Sequence, residues 1–231
     1  GYDISDYKDI MDEFGTMHDF NQLLEGAHKR GMKLILDLVV NHTSDEHPWF
    51  IESKSSKDNP KRDWYIWKKP KSDGSEPNNW ESIFNGSTWE FDEQTQEYYF
   101  HLFSKKQPDL NWDNPAVRNE IFDMMNWWFE KGIDGFRVDA ITHIKKSFEA
   151  GDLSVPEGKT YAPAFDVDMN QPGIQTWLQE MKDKSLSQYN IMTVGEANGV
   201  NPDNAEDWVG EDKGKFNMIF QFEHLGLWNT G

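Results

Sequence analysis

The chain has 231 residues, 41 of them acidic and 23 basic, for a net charge of −18. Such a balance argues against nucleic acid or an anionic membrane as partner, because phosphates are bound by clustered Lys and Arg, and no apolar run reaches the ~18 residues of a membrane helix. Cysteine is absent, which excludes a disulfide scaffold and thiol chemistry and fits a reducing, cytoplasmic location, and the chain opens on no signal-peptide pattern.

Hydrophobic residues make up 36%, yet aromatics reach 14% with 11 Trp, a content that a disordered chain lacks. Most of these rings are expected in the core. Residues 16–31 read as an amphipathic helix, with Phe20, Leu23, Leu24 and Ala27 at helical spacing and Gly31 placed as a C-terminal cap. The run Lys33–Val40 follows at once and reads as a strand buried on both faces. At 114–132 the grammar repeats. Asn114-Pro115 starts a helix whose face is Val117, Ile121, Met124, Met125 and Trp128, Gly132 ends it, and the strand Ile133–Val138 follows. A third round runs from Pro172 through Ile174, Trp177, Leu178 and Met181 to the strand Ile191–Val194, and Phe216–Phe220 is a fourth strand. Helix and strand alternating in this way predict an α/β fold with parallel strands.

About 70 residues between the first strand and the helix at 114 differ in character. They hold Pro48, Pro60, Pro70, Pro77 and Pro108 and short alternating stretches such as Glu97–Phe103. So long a segment reads as a small irregular domain inserted after a strand. The expected boundaries are 1–42 for the first part of the main domain, 43–111 for the insertion and 112–231 for the second part; 144–169 is a shorter excursion. Both excursions follow strand C-termini, where barrels and open sheets alike build their sites. A closed eight-stranded barrel takes about 250 residues. Without the insertion this chain has material for about five βα units, so a closed barrel is not expected from these residues alone.

Three strand ends carry chemistry. The first reads Asp37-Leu-Val-Val-Asn41-His42, the second Gly135-Phe-Arg137-Val-Asp139, the third Thr193-Val-Gly-Glu196. Parallel neighbours would bring His42, Arg137, Asp139 and Glu196 to one rim. Taken singly, a carboxylate after a strand is more often a solvated loop residue or a helix cap, and an Arg-x-Asp pair is more often structural. Together, two carboxylates and an Arg suit a glycosidase, which needs a carboxylate nucleophile and a second carboxyl group to protonate the leaving oxygen. Arg137 and Asp139 point to the same side of a strand, so the cation is expected to keep Asp139 ionised. Glu196, expected farther from the Arg, would keep its proton. A metal held by His42, Asp139 and Glu196 lacks any ligand spacing such as His-x-x-x-His, and no metal is assigned.

In this order the three segments resemble the successive signature segments of the α-amylase superfamily of glycoside hydrolases (family 13). Gln107-Pro-Asp-Leu-Asn111, the opening Gly1–Tyr7 and the stretch Tyr98–Asp109 resemble its α-glucosidase and oligo-1,6-glucosidase branch. The resemblance implies a retaining mechanism on a (β/α)8 TIM barrel, of which this chain holds about strands 3 to 6, with an inserted domain after strand 3. It matches Asp139 to the nucleophile, Glu196 to the general acid/base and Arg137 to the residue that orients the nucleophile, while Asp37 supports the Arg. His42 and Tyr2 match residues that bind the substrate glucose, and Phe84 and Phe103 fall where aromatics of the insertion line the same pocket.

The family also carries an Asn-His-Asp segment after its seventh strand, with a third carboxylate, and no such segment occurs in these 231 residues. The chain therefore reads as an internal part of a longer enzyme, inactive by itself. No cofactor is expected within it, and calcium is expected only outside it. Ala140, directly after the nucleophile, tilts the expectation toward α-1,4 bonds, since relatives that prefer α-1,6 bonds commonly carry a β-branched Val there, which narrows the next subsite. Thr142-His143 fits short substrates, and Asn198 is expected to face the leaving sugar. The expected activity is exo-acting hydrolysis of terminal α-1,4, and secondarily α-1,6, glucosidic bonds of short oligosaccharides. Alternatives are an oligo-1,6-glucosidase, a trehalose-phosphate hydrolase, a sucrose isomerase or a non-catalytic relative.

Overall fold

The computed structural model describes residues 1–229. In chain order the elements are α1 (Met17–Lys29), β1 (Ile35–Val39), α2 (Pro48–Ser55), β2 (Trp67–Lys68), β3 (Trp89–Asp92), β4 (Glu97–Phe100), α3 (Pro115–Lys131), β5 (Gly135–Asp139), α4 (Phe165–Asp168), α5 (Ile174–Lys184), β6 (Met192–Glu196), α6 (Glu206–Val209) and β7 (Met218–Phe220), with short 3-10 turns between them. Two compact units divide the chain. Unit 1 holds residues 1–5, 39–117 and 143–172, and unit 2 holds 6–38, 118–142 and 173 onward. Residues 43–111 thus fall in unit 1 with the segment 143–172.

Unit 2 contains the four-stranded sheet, in the order β1-β5-β6-β7. β5 pairs parallel with β6, and β6 with β7. Each of the four strands is preceded by a helix, as the alternation predicts. Neighbours in the sheet follow chain order with no reversal. That is the order of a barrel wall, whereas a doubly wound sheet reverses at a switch point.

Local chemistry explains the elements. Thr16 and Asp19 form a reciprocal capping box that starts α1. Phe20, Leu24 and Ala27 are buried as the spacing predicts, but Leu23 is 60% exposed, because it sits on the flank of that stripe. The expectation that β1 is buried on both faces holds only at its C-terminal end: Leu38 and Val39 are buried while Asp37 is exposed. Ile121, Met124, Met125 and Trp128 of α3 are buried, and the Trp128 ring meets Phe20 edge-on at 5.1 Å. At the start of β5 the Asp134 carboxylate accepts from the Leu34 amide at 2.8 Å and pairs with His28 and Lys33. Gly135 is required where it stands. Its φ is +151°, and a Cβ there would lie 1.7 Å from the Met192 carbonyl oxygen.

Unit 1 contains the antiparallel sheet β2-β4-β3, with Trp89 opposite Phe100 and Asp92 opposite Glu97. Its core is aromatic: Trp80, Trp89, Phe100, Leu102 and Ala164 are buried together, with Phe148 packed against them. Each indole N–H in this core has an acceptor. Trp80 donates to the Gly151 carbonyl at 2.8 Å and Trp89 to Asn78 Oδ1 at 2.7 Å. These Trp residues are core, as expected, because a large ring with a satisfied N–H supplies much apolar burial at little polar cost. Among the described residues no helix is long and apolar enough to cross a membrane.

Candidate active site

Within unit 2, parallel pairing sets Arg137 of β5 opposite Val194 of β6 and Val138 opposite Gly195. The C-terminal residues Asp139 and Glu196 therefore emerge at the same level. One guanidinium collects the charge. Arg137 Nη1 donates to both oxygens of Asp37, at 2.9 and 3.1 Å, and to Asp139 Oδ1 at 2.6 Å, while Nη2 donates to Glu196 Oε2 at 2.8 Å. Asp37 thus pairs with the Arg. The backbone amide of Ala140 donates to the same Glu196 oxygen at 3.0 Å. Ala140 is buried and has a φ of +43°, an uncommon left-handed conformation for a non-glycine residue, and that conformation turns its N–H toward Glu196.

This geometry corrects two expectations. Glu196 is not farther from the Arg, because the fork of the guanidinium spans both carboxylates. Nor does the cation hold Asp139 at a low pKa. Burial, reinforced by the charge and hydrogen bonding of Glu196, outweighs Arg137 and pushes Asp139 up to about 6. The Arg137 guanidinium, despite the penalty of burial, is held above its ordinary pKa by Asp37 and Asp139, so it remains a fixed cation. Three carboxylates around one cation leave the cluster with a surplus of negative charge. Glu196, on the other arm of the same guanidinium, is one of the groups that raise Asp139. Such a pair has one group able to attack and one able to donate a proton. Asn198 is half-buried two residues past Glu196.

Within unit 1, His42 is buried, and burial lowers its pKa. Its Nε2 lies 3.0 Å from the Tyr2 carbonyl oxygen and 3.1 Å from Gln107 Nε2, and its Nδ1 lies 3.2 Å from Asn41 Nδ2. The Phe103 ring lies 5.1 Å from the His42 ring and 6.0 Å from that of Phe84. Phe84 is 62% exposed and Tyr2 48%, so this aromatic group has an apolar face open to solvent. His42, Tyr2, Phe84 and Phe103 are thus assembled in unit 1, and Arg137, Asp139, Ala140 and Glu196 in unit 2.

Sequence reasoning assigned no part to four further residues, Asp109, Lys146, Gln107 and Asp168. Asp109 and Lys146 form a buried pair at 2.5 Å beside Asn41. Gln107 reaches His42. His143 Nδ1 lies 3.3 Å from Asp168 Oδ1 in another buried pair. The signal available was the motif Gln107–Asn111, which carries two of these residues; Lys146 and Asp168 stand alone in the sequence. Among the described residues no group of three or more His, Asp or Glu side chains is arranged to hold a metal ion.

The family described as "Alpha amylase, catalytic domain" matches residues 1–230. The chain is 63% identical over 230 residues to the probable oligo-1,6-glucosidase 3 of Bacillus subtilis, covering all of this chain and 41% of that protein. It is 60% identical over 227 residues to an oligo-1,6-glucosidase of Parageobacillus thermoglucosidasius, covering 98% of this chain and 40% of that one. Among solved structures it superimposes with a TM-score of 0.90 on the trehalose-6-phosphate hydrolase of Bacillus licheniformis, 47% identical, with 98% of this chain and 40% of that chain covered. The chain thus spans about 40% of the length of the curated relatives it matches. A match along essentially the whole chain, identity above half and a parallel sheet ending in paired carboxylates converge: the chain belongs to the α-amylase catalytic-domain family of glycoside hydrolases.

Proposed function

We propose that the full-length protein is a retaining, exo-acting α-glucosidase of short oligosaccharides. The observation that carries this reading is the bridge from Arg137 to both Asp139 and Glu196. Two carboxyl groups on the two nitrogens of one guanidinium suit the close spacing of a retaining pair, about 5–5.5 Å, better than the 6.5–9.5 Å of an inverting one. Asp139 attacks the anomeric carbon and forms a glycosyl ester. Its Oδ1 is anchored by Arg137, which orients the attacking carboxylate. Glu196 gives its proton to the leaving oxygen, then takes one from the water that hydrolyses the ester. The net product is glucose in the α configuration.

Tyr2, His42, Phe84 and Phe103 are proposed to bind the glucosyl unit, and Asn198 the leaving sugar. For the aromatic residues the support is the motif resemblance and the open ring face in unit 1. Two linkage readings have specific support. The small Ala140 side chain favours α-1,4 bonds, whereas the names of the 63% and 60% identical relatives favour α-1,6 bonds. The test is glucose release from maltose and isomaltose by the full-length protein, with Asp139→Asn as control. Faster cleavage of maltose supports the first linkage reading, and faster cleavage of isomaltose the second. Cleavage of neither sugar, or an Asp139→Asn variant of undiminished activity, overturns the proposal.

A further inference from the structure

We propose that Lys146 is a positioning residue that sets the tautomer of His42 through the side-chain amide of Asn41. All three residues lie in unit 1. The Lys146 ammonium is 1% exposed, Asp109 0%, and Asn41 is equally buried. An ammonium only donates hydrogen bonds, so the Asn41 atom facing it, 2.8 Å away, must be the carbonyl Oδ1. The amide nitrogen then faces the other way. There it donates to Asp109 Oδ2 at 3.0 Å, an atom that only accepts when ionised. Both neighbours demand the same amide orientation, and the buried ion pair supplies both. Asp109 is itself anchored, since its Oδ1 accepts from the Leu102 amide at 2.9 Å.

The second proton of Asn41 Nδ2 points at His42 Nδ1, 3.2 Å away. A nitrogen that accepts from this amide carries no proton, and a carbonyl oxygen facing the other nitrogen can only accept. The imidazole proton therefore sits on Nε2, where the Tyr2 carbonyl oxygen accepts it at 3.0 Å. Two bonds of relay carry the sign of a buried charge to the far side of a ring. Protonation of Nδ1 as well would set an N–H against an amide N–H. The groups around His42 divide: Asp109, Asp3 and the Tyr2 carbonyl favour a second proton, and burial and Lys146 oppose it, burial most strongly. Gln107 Nε2 lies 3.1 Å from the same Nε2, and its orientation is fixed because its oxygen accepts from the Ser104 amide at 3.1 Å. Gln107 therefore favours the opposite tautomer, and the Tyr2 carbonyl at 3.0 Å and the Asn41 amide together outweigh it. The tautomer stands independently of the glucosidase reading. Its consequence for glucose binding rests on that reading.

The test is nitrogen NMR of the full-length protein labelled in histidine, with His42 identified by its absence in His42→Gln. In the wild type, Nε2 is expected to resonate as a protonated, pyrrole-type nitrogen and Nδ1 as a bare, pyridine-type one at neutral pH. The reverse pattern overturns the proposal whether or not any variant folds. Lys146→Met frees the Asn41 amide to turn, so His42 gains Nδ1–H character. With it KM for the cleaved disaccharide rises about tenfold while kcat changes little, as expected when the hydrogen bond from His42 to the Tyr2 carbonyl, which joins two proposed sugar-binding residues, is lost. Lys146→Arg, which keeps a cationic donor, restores the wild-type spectrum. A folded Lys146→Met with an unchanged His42 spectrum overturns the relay. A protein with the expected spectrum that cleaves no glucoside supports the relay and overturns the functional reading instead.

Discussion

Two ionic clusters of this protein use the same residue types to opposite ends. In unit 1, Lys146 and Asp109 balance one positive charge with one negative, both are excluded from water, and Asn41 and the Leu102 amide complete the hydrogen bonds. In unit 2, Arg137 faces Asp37, Asp139 and Glu196, and its side chain remains 20% exposed. The balanced cluster pairs each charge with its opposite and so serves geometry. The unbalanced one sets three carboxylates against one guanidinium, and there burial and Glu196 push Asp139 up to about 6. Burial beside a like charge sets the reactive carboxylate apart from the structural pair, in which each buried charge has its opposite.

The largest effect that would test this contrast is on catalysis. Asp139→Asn and Glu196→Gln are each expected to lower kcat about 10⁴-fold or more, because a nucleophile and a proton donor are removed from groups acting as a unit. Retention of full activity by either variant breaks the assignment of roles. Next comes the balanced pair. Asp109→Ala should destabilise the fold by about 3–5 kcal/mol, since it leaves the Lys146 ammonium buried without a partner. Denaturant unfolding of the variant measures this, and a loss below about 1 kcal/mol would show that water or another group replaces the carboxylate.

The pH dependence comes third. Asp139 must be ionised to attack, and with its pKa pushed up to about 6 the rate should fall as pH drops through that value, about tenfold per unit below it. The same shift bears on stability with a definite sign. An acid whose pKa is higher folded than unfolded favours the native state at low pH, and that contribution fades as pH rises from the ordinary carboxylate value through about 6. Asp37→Asn sharpens the point. It frees Arg137 from one competitor, so the acid limb of kcat/KM should move to lower pH by less than about one unit. Movement the other way would mean that Asp37 holds Arg137 in place rather than competing for it. The smallest effect is expected at Asp134, whose carboxyl is set near 2 against the cost of burial by Lys33, the Leu34 amide and His28. Asp134→Asn should cost about 1 kcal/mol above pH 4, and wild type and variant should converge as pH falls toward 2.

Much of the fold was legible because it depends on local rules. Helix starts at Thr16 and Pro115 follow from capping and from the fixed φ of proline, and the strands from short apolar runs that end in polar residues. Asp139 and Glu196 were legible for a related reason: a carboxylate at the end of a buried strand has one direction in which to point. Leu23 was misread because spacing defines a stripe without its width, and β1 because a run of apolar residues says nothing about which neighbours cover it.

The sequence by itself determined the order of helices and strands of the parallel sheet and which side chains stand at strand ends, since each depends on residues within a few positions of one another. Tertiary structure alone decided how charge is shared. That Arg137 forks across Asp139 and Glu196 depends on the register between two strands whose partners stand 59 positions apart. That Asn41 lies between Lys146 and Asp109 depends on contacts 105 and 68 positions apart. Periodicity carries no information about such distances, and a pKa or a tautomer is a property of the assembled neighbourhood, not of the residue.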